Sequence, residues 1–273
     1  MGFLLRQLRV DRGLSIEQVT ERAMFSPTKL SRLETGRVGA SPRDIRDLCI
    51  VYEITEAAER ERLTTLAREG KQRAWWQQYD PPYATYIGLE AEAVSIREFN
   101  TSVLPGLLQS EDYARAIFES GEPPLDPAAL QQRIDARMRR QDVLEREEGA
   151  PSFHCIVDEA ALRRPIGGPA VMRAQLARII ETVRTSDVTF RVIPFAAGAH
   201  PALDSNFSIL EFGGESVVND VAYVEGAVGN IYLESAADLE KYNSIFSRLQ
   251  SIALNQEDSV AMLAKVSESH EDS

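Results

Sequence analysis

The chain has no run of about 18 apolar residues, so none of its helices is expected to cross a membrane. The opening stretch MGFLLRQLRV carries arginines inside its apolar part and no small-residue cleavage site, and does not read as a signal peptide. Cysteine is scarce. Cys49 and Cys155 lie far apart on apolar stretches, which argues against a disulfide framework and for buried free thiols in a reducing, cytoplasmic setting. Histidine is as rare: His154, His200 and His270 form no H-x-x-x-H spacing, and no C-x-x-C exists, so neither a metal nor a cofactor is expected. His154 and Cys155 are neighbours on a strand-like stretch and point to opposite faces. There is no P-loop, no G-x-S-x-G and no evident nucleophile–base pair, which argues against an enzyme. Internal repeats and low-complexity segments are also missing.

Positive charge is in deficit, with 30 Lys and Arg against 42 Asp and Glu and a net charge of −12. That balance repels phosphate, but it is unevenly spread. Residues 1–75 carry 14 basic and 11 acidic groups, a balance of +3, while the remainder carries 16 and 31, a balance of −15. A mildly basic head on an acidic body presents only the head to a polyanion, and its binding falls steeply with salt.

Within that head, SPTKLSRLETGR (26–37) is the most informative stretch. Ser26 suits an N-cap and Pro27 the first helical position, Leu30 and Leu33 share one face, and Gly36 suits a helix end. Thr28, Lys29, Ser31 and Arg32 fall on the other faces. A short capped helix with an apolar back and a front of hydroxyls and cations fits a DNA major groove. Residues 15–23 (SIEQVTERA) read as a preceding helix, opened by the capping box Ser15–Gln18 and separated from the next by Met24 and Phe25. The pair makes a helix-turn-helix. Thr28 and Arg32, one turn apart, are the candidates for base edges. Ser15, Lys29, Ser31, Arg37 and Arg43 are the candidates for phosphates.

Helical periods over 3–12, 15–23, 26–35, 41–52 and 56–69 predict a five-helix head over residues 1–70. Its core is expected from Leu8, Leu14, Val19, Ala23, Leu30, Leu33, Ile45 and Leu48. Residues 71–87 read as an aromatic and proline-punctuated linker. Residues 88–266 then form an α+β body, and 267–273 a polar tail. In the body, helices are expected at 88–100, 110–119, 126–148, 170–184, 235–254 and 257–266. Strands are expected at 153–157, 188–194, 207–212, 217–224 and 231–233, giving a small sheet in a mainly α protein.

GLSIEQVTERAMFSPTKLSRLETGR resembles the helix-turn-helix of phage-repressor-type regulators, the xenobiotic-response-element (XRE) family. That resemblance implies base-reading positions at Pro27, Thr28 and Arg32, and an ion pair between Arg9 and Glu34. The body pieces DEAALRRPIGGPAVMRAQL, VTFRVIPFAAGAHPAL and VAYVEGAVGNIYLES, with GLEAEAVSIREFNTSVLPGLLQSEDYARA, are similar to a domain shared by actinobacterial WhiJ-like regulators. The resemblance implies a cytoplasmic transcription factor binding double-stranded DNA. It also implies an antitoxin-like pairing with a small partner protein encoded nearby, which stands as the alternative reading.

A dimeric repressor is expected, because one head covers only a few base pairs and two heads one helical turn apart supply affinity and specificity. The body would hold the homodimer and sense a partner protein or a small-molecule effector. The long loop Phe195–Pro201, with Tyr223, Glu225 and Tyr232, reads either as an effector pocket containing Phe195 and His200 or as a plain connector. Trp75, Trp76, Tyr79, Tyr83 and Tyr86 suit either stacking on unpaired bases or packing a junction. Gly167-Gly168-Pro169 near Arg163 and Arg164 reads as an anion seat or as an inter-helix turn.

Overall fold

The computed structural model describes residues 2–35, 38–69, 76, 79, 81–147, 149–213, 219–226 and 229–270. The chain divides into two compact units, Met1–Gly88 and Leu89–Ser273.

The first unit is helical: α1 Gly2–Asp11, α2 Ile16–Ala23, α3 Pro27–Glu34, α4 Pro42–Val51 and α5 Ala57–Glu69. Local chemistry sets these boundaries. Ser15 Oγ accepts from the Gln18 amide while Gln18 Oε1 accepts from the Ser15 amide, a reciprocal box. Ser41 and Asp44 repeat it at α4, behind a proline at the first helical position. Thr35 closes α3, and Gly36 lies outside the described residues. The core is built from Leu4, Leu5, Val19, Leu30, Leu33, Ile45, Leu48, Tyr52 and Leu63, all but excluded from solvent. Each such side chain contributes roughly 1.5–3 kcal/mol of transfer free energy. Leu8 and Leu14, expected in this core, are only half-buried; Leu4 and Leu5 take the inward face of α1 instead.

Helix α6, Pro81–Glu92, contains the division between the units. The second unit is a six-stranded mixed sheet with helices. Its strands are β1 Ser95–Asn100, β2 Ser152–Asp158, β3 Thr189–Ile193, β4 Phe207–Glu211, β5 Val221–Gly226 and β6 Gly229–Leu233, in the order β3-β2-β1-β4-β5-β6. β1 is parallel to β2 and β2 to β3, whereas β4, β5 and β6 continue antiparallel. The crossovers carry α7 Glu111–Glu119 and α8 Pro127–Arg140 between β1 and β2, then α9 Glu159–Arg163 and α10 Pro169–Thr185 between β2 and β3. α11 Ala236–Ile252 lays Phe246 and Leu249 against Phe99, Ile156, Phe207 and Ile209 of the sheet. α12 Gln256–Ser269 and the segment before it block the β3 edge: Val192 N donates to Ser259 Oγ at 3.1 Å, and Leu254 N to Val192 O at 2.9 Å.

The architecture is the expected one, a helical head followed by an α+β body, with three local corrections. Residues 88–100 do not form one helix: α6 stops at Glu92 and SIREFN becomes the central strand β1. Its ladders to β2 and β4 on both sides outweigh a helical reading, and its inward Glu98 and Asn100 hide the alternation a strand would show. The helix from Asp126 stops at Arg140 rather than Glu148. A 3₁₀ turn over Gln141–Glu145 follows, in which Gln141 Nε2 donates to the carbonyls of Gly106 and Gln109. Leu104 and Pro105 lead into the 3₁₀ turn Gly106–Leu108, whose residues are buried. Finally, α12 continues to Ser269, and His270 is buried with its ring nitrogen 3.0 Å from Leu162 O. Only residues 271–273 of the expected tail lie outside the description.

Candidate nucleic-acid interface

The turn between α2 and α3 is made by Met24 in the left-handed region (φ 54°) and by Phe25, whose amide bonds to Thr20 O. Met24 is 92 % exposed. Ser26 then caps α3 by accepting from the Lys29 amide at 3.1 Å. The 3.6-residue period turns Leu30, Leu33 and Glu34 inward and leaves Pro27, Thr28, Lys29, Ser31, Arg32 and Thr35 exposed. Thr35 Oγ1 donates to Ser31 O, bracing the last turn.

Two ion pairs hold this helix. Arg9 Nε donates to Glu34 Oε1 at 2.7 Å and Nη2 to Oε2 at 2.9 Å, while Nη1 reaches Leu14 O. One planar fork thus ties α1, the segment before α2 and the end of α3. The bond to Glu34 holds the Arg9 guanidinium above its ordinary pKa, outweighing burial. Lys29 Nζ lies 2.5 Å from Asp44 Oδ1 and 3.8 Å from the centroid of the Phe25 ring. Burial works to raise the Asp44 carboxyl, but the bonds from Lys29 and Ser41 outweigh it and leave the group below the usual range. Asp44 therefore serves twice, as the return acceptor of the Ser41 box and as the anchor of Lys29. Its capping role was legible from the S-x-x-D spacing; its bond to Lys29 crosses from α4 to α3 and has no local signal.

The cations differ in what they are free to do. Arg32 and Arg43 are exposed and make no side-chain hydrogen bond or ion pair among the described residues, and neither does Thr28. Lys29 is engaged, and Arg37 lies outside the described residues. Ser15 is occupied by its capping box, so only backbone groups at the start of α2 remain for an anion. Of the aromatic cluster, Tyr79 and Tyr83 meet edge to face with centroids 6.0 Å apart, Tyr86 is buried, and Trp75 lies outside the described residues.

The residues expected to share an effector pocket are not brought together. Phe195 follows β3 at one edge of the sheet, while Tyr223, Glu225 and Tyr232 lie on β5 and β6 at the other; His200, later in the same loop, reaches back over β1. β3 and β5 are four strand spacings apart, roughly 19 Å. Strand register separates them further. His200 packs on the Phe99 ring at 5.4 Å and beside Asp158. Phe99 pairs through Phe207 with Val224, whereas Tyr223 pairs with Ser208 and Tyr232, so the tyrosines stand on the opposite face. Phe195 and Glu225 are exposed.

Residues 1–63 match the family model of the helix-turn-helix domain, and the chain is a helix-turn-helix DNA-binding regulator. Among the described residues no helix is long and apolar enough to cross a membrane. No curated protein and no solved structure matches the chain. A second family model covers residues 83–265, two-thirds of the molecule and all six strands, and by that match the chain belongs to the family described as Domain of unknown function (DUF5753).

Proposed function

We propose that this regulator is a dimeric repressor that reads one sequence per half-site through the front of α3, with the second unit holding the dimer and sensing a partner protein or small ligand. The observation that carries the reading is the contrast on α3. Arg32 and Thr28 are exposed, one helical turn apart and unengaged, on a helix whose back is pinned by Leu30, Leu33 and the Arg9–Glu34 fork. Arg32 can offer two parallel donors to a guanine, and Thr28 a methyl to a thymine or a hydroxyl to either partner. Pro27, at the front of the same helix, offers only apolar contact. Arg43, Ser31 and Arg37, with the backbone at Ser15, serve phosphates. Lys29 keeps that role only by exchanging Asp44 for a phosphate. The exchange is feasible because the Lys29 side chain is 44 % exposed and Asp44 keeps its bonds from Ser41.

Selection of bound duplexes from a random pool by the full chain yields the test site. On it, Arg32→Ala is expected to cost roughly 1–3 kcal/mol and to relax preference at one base position. Lys29→Ala should weaken selected and random duplexes equally and reduce the salt slope by about one. Equal losses on both duplexes for Arg32→Ala would remove α3 from base reading. A selected site without two half-sites would remove the dimer.

A further inference from the structure

We propose that the groove between α7 and the turn joining α9 to α10 binds a small ligand carrying a carboxylate on a compact apolar body. The groove is open to solvent and offers about 590 Å³, within the range of small-molecule sites. Val103, Ile117 and Ile166 give it apolar walls, and its polar groups come from Ser102, Ser120 and Arg164. No acidic side chain is among its lining residues.

Arg164 sets the ligand class. Several arginines of this acidic unit are engaged, Arg163 on Glu159, Arg97 on Glu211, Arg115 on Glu111, and Arg191 on the carbonyls of Ala253 and Leu254, whereas Arg164 is the one cation that lines the groove. Arg164 is exposed at the groove and makes no side-chain hydrogen bond or ion pair among the described residues. Its backbone is nevertheless fixed, since its amide donates to Ala160 O at 3.1 Å. A guanidinium beside carbon walls, with no carboxylate of its own, is a fork prepared for an external one. Ser102 makes no side-chain hydrogen bond among the described residues and can donate as well. Ser120 cannot donate, because its hydroxyl already bonds to Ile117 O at 2.8 Å. Gly167, which also lines the groove, has φ +73°, and a Cβ there would stand 2.8 Å from Val171 Cγ1, so a side chain is strained at this position.

The test uses the full chain without DNA, so its outcome is independent of the reading of α3. Hexanoate, 1-hexanol and inorganic phosphate are titrated separately while the methyl resonances of Val103, Ile117 and Ile166 are followed by NMR. Hexanoate should shift all three saturably. Arg164→Gln should weaken it about tenfold or more, and Ala116→Phe, which fills the groove from α7, should abolish the shifts. Hexanol and phosphate should each bind at least about tenfold more weakly, since each lacks one half of the recognition. The proposal is overturned by an absence of saturable hexanoate shifts, by unchanged affinity in Arg164→Gln, or by hexanol or phosphate matching hexanoate.

Discussion

Replacing Arg140 by Met is expected to lower the stability of the second unit by about 3–5 kcal/mol, the usual cost of stranding one half of a buried ion pair. Arg140 on α8 grips Glu90 on α6 through two parallel bonds, Nε to Oε1 at 2.8 Å and Nη2 to Oε2 at 2.6 Å. Their side chains are only 6 % and 2 % exposed. With the guanidinium gone, the Glu90 carboxylate must either remain charged out of water or take up a proton. Replacing both, Arg140→Met with Glu90→Leu, removes the stranded charge along with the pair and should recover most of the loss. To read the second unit by itself, the measurement is native-state hydrogen exchange at the β1 and β2 amides. A loss below about 1 kcal/mol for the single replacement would show the site to be wetter than the geometry implies, and a double replacement as damaging as the single one would point to packing rather than charge.

The second large effect is a dependence of stability on pH that traces to one residue. Glu98 lies inward at the centre of the sheet, and burial pushes its carboxyl up from 4.5 to about 7, although the 2.6 Å bond from Asn100 Nδ2 and the Arg140 charge pull the other way. The folded state therefore holds a proton that the unfolded chain releases near pH 4.5. The stabilising contribution is fully present below about pH 4.5 and is lost as the pH rises through about 7. By pH 8 the loss amounts to about 3 kcal/mol at 1.36 kcal/mol per pH unit. Glu98→Gln keeps the shape and the neutral charge. Its stability relative to the parent chain should therefore rise between pH 5 and pH 7 and level off by pH 8, as followed by urea denaturation. Parallel curves for the two proteins would mean that Glu98 is not the titrating group.

The head and the body differ in how far they can be read from residues alone. In the head, the Ser15–Gln18 box, the Ser26 cap before Pro27 and the Ser41–Asp44 box are interactions spanning three residues, and they place α2, α3 and α4 without any knowledge of packing. The exposed front of α3 follows from the same local period. In the body, SIREFN has polar residues on both faces and no turn signal ahead of it. It is a strand because β2 and β4 supply partners more than 50 residues away in sequence. The polar end of α12 stays helical, and His270 finds a carbonyl 108 residues back at Leu162.

Side-chain chemistry and short-range periodicity were thus sufficient for a capped helix pair with a cationic front and for the class of partner it meets, because every interaction involved closes within one or two helical turns. What meets across the sheet was decided only by the tertiary structure. Strand order and register put His200 and Tyr223 on opposite faces, helix packing puts Lys29 against Asp44, and the fold brings Arg164 to a groove shared by segments more than 40 residues apart. Those pairings arise from hydrogen-bonded ladders and burial summed over the whole fold, and no local stretch of chain contains them.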